Sequence, residues 1–429
     1  MAGRRLTSTP DELYLAALTH GGDASKTGRY LVTFKSGTTD SASRMLNQKY
    51  GLVVASAADF EAHAVVLEGL SGANALILPE IDVALIEGEA FEEHRISSAS
   101  IYEPDSPVFS IDDEYFAFGH SDHREYLRGF GAAIATIASD LDQTTDTSEE
   151  LIDGAQSTWG LGACQVLSSS FTGQGICIAM LDTGLDFDHP DFIGRVMPGH
   201  FNSFVGQPPQ DVFGHGTHTT GTACGPSIST IGIPRYGVGS LATIFVGKIL
   251  SDSGLAVGGS ILAGINWAIM NGCQIISISA AGTPQVFPPF TSAGASALSR
   301  GLLIIAAAGN QSHRPLQVVP TGYPANSPTI MSVAALDQNL AVPYYSNGGK
   351  VDIGGPGDSV FSSFPRPTLT KILSGTSQAA PHVAGVAALY AQSDPNLRGA
   401  ALWSQLQATT RKLPLSAADV GAGLVQAPQ

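Results

Sequence analysis

The chain has 429 residues, 43% of them hydrophobic, with 49 glycines, enough for one large globular domain and a smaller companion. Its formal net charge of −16 is uneven: residues 1–150 carry 25 acidic and 10 basic side chains, the remainder 12 and 11. An acidic third beside a near-neutral remainder excludes nucleic acid as a partner, and no apolar run approaches the ~18 residues of a membrane span.

Residues 1–27 read as a flexible N-terminal segment. They hold early arginines but no apolar stretch of signal-peptide length. The expected location is cytoplasmic if Met1 is the native start and secreted if a leader has been removed. Residues 28–91 read as a small α+β unit. GRYLVTFKSG (28–37) has strand character, and TDSASRMLNQKYG (39–51) a helical pattern closed by glycine. LVVASA and HAVVLEGL follow as strands, SGANALILPE as a short helix and IDVALIEGEAF (81–91) as a last strand. The order β-α-β-β-α-β is that of a split βαβ, ferredoxin-like unit. Residues 92–155 include EPDSP, SIDDEYF and SDLDQTTDTSEE and read as an acidic linker or insert, with one short helix at 129–141.

From residue 156 the pattern changes. Apolar runs at 176–181, 241–250, 274–280, 302–308 and 330–336 alternate with helical stretches such as GGSILAGINWAIMNG (258–272). This predicts a mostly parallel sheet with helices on both faces. Asp182 ends the first run and Thr183-Gly184 turn the chain, which sets a carboxylate at the carboxyl edge of the sheet. His215 stands between two glycines at the start of a small-residue segment. LLIIAAAGN (302–310) ends in Asn310, whose plain reading is a turn residue and whose chemical reading is an amide donor. Ser377 follows Gly375-Thr376 and opens a helical run through Tyr390 with Pro381 early in it. A hydroxyl, an imidazole and a carboxylate are the three members of a nucleophilic triad. Cys164, Cys177, Cys224 and Cys273 lack metal-site spacing and are expected as buried free thiols.

From about Gln156 to Val425 the chain resembles the subtilisin-like serine peptidases. The resemblance rests on TWGL (158–161), the DTG, HGTH and GTS boxes, AAAGN, GYPA (322–325), SVAALD (332–337) and PHVAG (381–385). It implies a three-layer fold of about seven strands over residues 156–429, with Asp182 as orienting acid, His215 as general base, Ser377 as nucleophile and Asn310 as oxyanion donor. It also implies a primary pocket walled by Ser279, Ala280, Ala281 and Gly282 with Gly322 at its floor, fitted to large apolar residues. Ala281 departs from the family's usual glycine, and the other wall contains His313 and Arg314, read first as surface loop residues, with a bias of neighbouring subsites toward acidic substrates as the other reading of Arg314. No cofactor is expected for catalysis; calcium is a candidate structural ion at Asp191, although the loop after His215 lacks the family's Asn-rich calcium sequence. The unit at 28–91 resembles the inhibitor and chaperone propeptide of these enzymes. That implies a monomeric zymogen with polypeptide substrates and its own propeptide as inhibitor, first cut at about residues 91–103. The other reading is a catalytically silent protein of this fold that keeps its propeptide and binds a partner.

Overall fold

The structure, a computed structural model, describes residues 5–20, 23–94, 96, 105–119 and 156–429. The helix expected at 129–141 lies outside them. The first element is a helix, α1 (Pro10–His20), whose Leu13 and Tyr14 are buried with Phe116, Leu255 and Val257. The segment expected to be flexible is therefore anchored in part by apolar burial.

The small unit contains β1 (Lys26–Phe34), α2 (Thr39–Gln48), β2 (Val54–Ser56), β3 (Ala75–Leu78), β4 (Val83–Ile86), α3 (Gly88–Glu93) and β5 (Val108–Phe118). Its strands lie in the order β2-β3-β4-β1-β5, with every neighbouring pair antiparallel except β2 and β3. The path β1-α2-β3-β4-α3-β5 keeps the ferredoxin-like order, but several expected assignments move. Residues 63–70 hold the end of one 3-10 turn (Glu61–His63) and another (Leu67–Leu70) instead of a strand, residues 71–80 hold β3 instead of a helix, and the unit's last strand is β5, drawn from the expected linker. The reason is double burial. Ala75, Ile77, Ala84 and Ile86 pack on Ala42 and Leu46 of α2, whereas Leu76, Leu78, Val83 and Leu85 pack on the large unit. A short strand covered on both faces loses its alternation, so periodicity cannot separate it from a helix.

In the large unit β6 (Cys177–Asp182), β7 (Phe201–Ser203), β8 (Thr243–Lys248), β9 (Leu255–Val257), β10 (Ile275–Ile278), β11 (Leu303–Ala307), β12 (Met331–Leu336) and β13 (Ile353–Pro356) follow in turn. Seven of these form the central sheet, β13-β12-β11-β10-β6-β8-β7, parallel at every pair. Four of its helices are α4 (His215–Cys224), α5 (Gly258–Met270), α6 (Pro288–Ser299) and α7 (Thr376–Ser393). One face of the sheet (Leu181, Ile276, Ile278, Ile304) shares a core with α5, α6 and the small unit. The other (Ile178, Met180, Ile305, Val333) shares a core with α7 and the end of α4. This is the expected three-layer α/β arrangement. Strand β9 stands outside the central sheet and pairs antiparallel with β5, so a large-unit strand extends the small unit's sheet.

Candidate active site

Two glycines bring the first pair of functional side chains together. Gly184, in the turn after β6, has φ 105°, and a Cβ there would sit 2.1 Å from the Pro209 carbonyl oxygen. A Cβ on Gly216 would sit 2.2 Å from the Gly184 carbonyl oxygen, so only bare backbone lets α4 start against that turn. The result is His215 Nδ1 at 2.7 Å from Asp182 Oδ1, both residues 2% exposed. Opposite a carboxylate, Nδ1 carries the proton and Nε2 is the basic atom. Burial alone would depress the His215 pKa. The charge and hydrogen bond of Asp182, with the charge of Asp211 behind, outweigh it and raise the pKa above its ordinary value.

Asp211 is a site residue that motif reading did not single out. Its buried carboxylate accepts from Thr183 Oγ1 (2.9 Å), Phe213 N (3.0 Å) and Gly214 N (2.8 Å) on one oxygen, and from Thr217 N (2.8 Å) and Oγ1 (2.7 Å) on the other. It ties the loop before His215 to the turn after Asp182. Its sequence signal was an aspartate four residues before the histidine. Lys248, fully buried at the end of β8, donates to the Thr183 carbonyl and pairs with Asp252 at 2.8 Å.

Ser377 is the second residue of α7, which packs on α4. Asn310 accepts from Thr376 N and Oγ1 on its Oδ1, both at 2.8 Å, so its Nδ2 is the group left to donate outward. A Cβ on Gly375 would lie 3.1 Å from Asn310 Nδ2 and 3.6 Å from Ser377 N, so both donors border one small space. Two N–H donors beside one space are the kind of groups that stabilise an oxyanion.

The wall residues Ser279, Ala280 and Ala281 follow β10 and are buried. Gly282 N donates to the Tyr323 carbonyl (2.8 Å) and Gly322 N to that of Ala308 (3.0 Å), which draws the two walls together. Arg314 follows its first reading and not the acidic-subsite one. Its guanidinium donates to Asp419 Oδ1 (2.6 Å) and the Ser346 carbonyl (2.8 Å), a local partner that removes the need to face substrate. His313 lies in an exposed turn closed by its N–H to Gln317 O (2.9 Å).

Asp191 does not fit the calcium expectation. Oδ1 accepts from Thr230 N (2.6 Å) and Oγ1 (2.7 Å), and Oδ2 from Ser229 Oγ (2.8 Å) and Tyr236 OH (2.6 Å). Four donors fill the acceptor positions of a carboxylate, leaving none for a cation. Asp186 is clamped by Arg366 through Oδ1 and Oδ2, each at 3.0 Å. Among the described residues no cluster of three or more His, Cys, Asp or Glu is arranged to hold a metal ion. All four cysteines are free, three buried and Cys177 partly so.

The cleft edge holds a segment of the chain itself. Phe116 pairs with Val257 and Phe118 with Leu255 in antiparallel register. On the other side Phe118 and Ala281 exchange both backbone hydrogen bonds at 3.1 Å, and Gly119 N donates to Gly254 O (3.0 Å). The Gly119 carbonyl oxygen then lies 3.4 Å from Ser377 Oγ. Of residues 91–103, expected to enter the groove, 95 and 97–103 lie outside the described residues; among the described ones, 116–119 line the groove edge.

Comparison with known proteins agrees with this geometry. Residues 173–423 match the subtilase family. The chain is 36% identical to an alkaline protease of Shouchella clausii over 301 residues, covering 69% of this chain and 73% of that protein. It is 37% identical to subtilisin Savinase of Lederbergia lenta over 274 residues, 63% of this chain and 96% of that protein. Among solved structures, sphericase superposes with a TM-score of 0.55 at 30% identity, over 64% of this chain and 99% of its own. The chain belongs to the subtilase family and is a subtilisin-like serine endopeptidase.

Proposed function

We propose that peptide hydrolysis runs through Ser377 and that the chain is a zymogen inhibited by its own N-terminal unit. Ser377 Oγ attacks the substrate carbonyl while His215 Nε2 takes its proton, and Asp182 stabilises the imidazolium. Asn310 Nδ2 and Ser377 N stabilise the oxyanion. The amine leaves with the proton from His215, and water then hydrolyses the acyl-enzyme by the same groups in reverse.

One observation carries this reading: residues 116–119 run as an added strand between Gly254–Val257 and Ala281 and end at Ser377 Oγ. An extended peptide adding to sheet edges is how a groove takes polypeptide without reading every side chain. The inhibitory unit then comprises residues up to about 119, beyond the expected boundary at 91. It is held at two further points. Glu114 accepts from Gly259 N at the start of α5 (2.6 Å) and pairs with buried Arg29 (2.6 Å). Leu13 and Tyr14 of α1 share a core with Leu255 and Val257, and Ser253 Oγ donates to Asp11 (2.5 Å).

For substrates supplied in trans, a large apolar residue before the scissile bond is preferred. The walls 278–282 and 309–323 carry no carboxylate, and the one arginine among them, Arg314, is engaged by Asp419. A buried Lys or Arg would find no carboxylate there.

Mass spectrometry and peptide assay of the full-length chain beside Ser377→Ala and Asn310→Ala test the proposal. Wild type splits and becomes active, Ser377→Ala stays intact and inactive, and Asn310→Ala keeps a residue of activity about 10²–10³-fold lower, a magnitude taken from subtilisin itself. Self-cleavage by Ser377→Ala would overturn the assignment of the nucleophile. A wild type that stays intact and inactive would favour the silent binding protein.

A further inference from the structure

The Asp182 carboxylate has two oxygens, and only one faces the histidine. Oδ1 accepts from His215 Nδ1 (2.7 Å) and Thr183 N (2.7 Å). Oδ2 accepts from Thr219 Oγ1 at 2.9 Å. Thr219 stands four residues after His215 on α4, so one face of one helix presents both donors to one carboxylate. Thr219 is fully buried. Its single hydroxyl proton has one competitor, the Gly216 carbonyl at 3.2 Å, the usual back-bond of a helical threonine. The charged acceptor is nearer and binds a proton more strongly, so it takes the bond.

We propose that Thr219 is a positioning residue for the catalytic acid. Its hydroxyl fixes the rotation of the Asp182 carboxylate so that Oδ1 stays on His215 Nδ1, and it draws off part of the carboxylate charge that the imidazole would otherwise feel. A methyl group at the same place would fill the space and do neither. The inference rests on the Asp182–His215–Ser377 reading above.

The test compares Thr219→Val, which keeps the shape and removes the donor, with Thr219→Ser, which keeps the donor. After self-processing, Thr219→Val loses about ten- to a hundredfold in kcat/KM, the scale of one hydrogen bond to a charged group, and Thr219→Ser recovers most of it. The acidic limb of the pH profile moves upward in Thr219→Val, because a less shielded Asp182 holds the His215 proton more tightly, and returns in Thr219→Ser. The other charged or titratable neighbours, Asp211, His218 and Lys248, are unchanged by either substitution. The His215 Nδ1 proton resonance of the full chain carrying Ser377→Ala gives a readout that needs no turnover, and it shifts on adding Thr219→Val. If circular dichroism finds Thr219→Val unfolded, Thr219→Cys, similar in size with a weak donor, takes its place.

A normal rate and profile in Thr219→Val would overturn the proposal. So would a loss of rate with an unmoved pH limb and no recovery in Thr219→Ser, which is the signature of packing alone. Activity in Ser377→Ala would remove the triad reading itself, a result distinct from either.

Discussion

Ser279 donates its hydroxyl to the main-chain carbonyl of Ser377 at 2.8 Å. That carbonyl is available because the residue four positions on, Pro381, has no N–H to close the helical bond. A proline early in α7 thus opens an acceptor that the pocket wall fills, clipping the wall to the nucleophile's turn.

Ser279→Ala should therefore lower kcat/KM although it touches no reacting atom. Leaving a buried carbonyl unpaired costs about 1–2 kcal/mol, roughly five- to thirtyfold in rate if carried to the transition state. Steady-state kinetics on the processed enzyme checks this, and an unchanged kcat/KM would sever the link between wall and nucleophile.

Maturation should begin where the docked strand meets the nucleophile. The expected first cut is the Gly119–His120 or His120–Ser121 bond, given the Gly119 carbonyl 3.4 Å from Ser377 Oγ. Amino-terminal sequencing of the first product identifies it. A first new terminus within 91–103 or 150–156 would contradict the docking.

The pH response has two parts with opposite origins. His215 must be neutral to act as a base, and its pKa is raised against burial by Asp182 and Asp211. The acidic limb of kcat/KM is therefore expected above the ordinary histidine value, in a profile taken between about pH 5 and 9. Stability follows buried His218 and His382, whose pKa values burial pushes down to about 3 and about 4. Below the unfolded value near 6.5 the unfolded chain binds protons that the folded chain refuses. Stability is thus full above that pH and falls as pH drops toward 4, by about 1.4 kcal/mol per histidine for each unit. Melting curves of Ser377→Ala across this range give the slope, and a flat response would refute the assignment.

The Asp191 cluster should stabilise the fold without calcium. Tyr236→Phe removes one of its four donors within a buried site and should cost about 1–3 kcal/mol. Thermal denaturation with added calcium or a chelator is the check. Recovery of the variant by calcium would mean that the carboxylate accepts a cation after all.

The large unit was legible in the sequence because its signals are local. An apolar run ending in Asp-Thr-Gly, a histidine between glycines and a Gly-Thr-Ser before a helix each specify backbone as well as chemistry, and Asp182, His215, Asn310 and Ser377 lie where those signals put them. What tertiary structure decided were contacts between distant segments. Whether ALIL at 75–78 is helix or strand depended on what covers its two faces. Whether Arg314 faces substrate depended on Asp419, 105 residues away. Whether Asp191 needs a metal depended on Ser229, Thr230 and Tyr236 folding over it. The entry of 116–119 into the cleft depended on β5 pairing with β9, a strand contributed by the large unit to the small unit's sheet. A short stretch of sequence states its own propensity and polarity, but the partner that satisfies a buried donor, acceptor or charge is chosen only when the chain is packed.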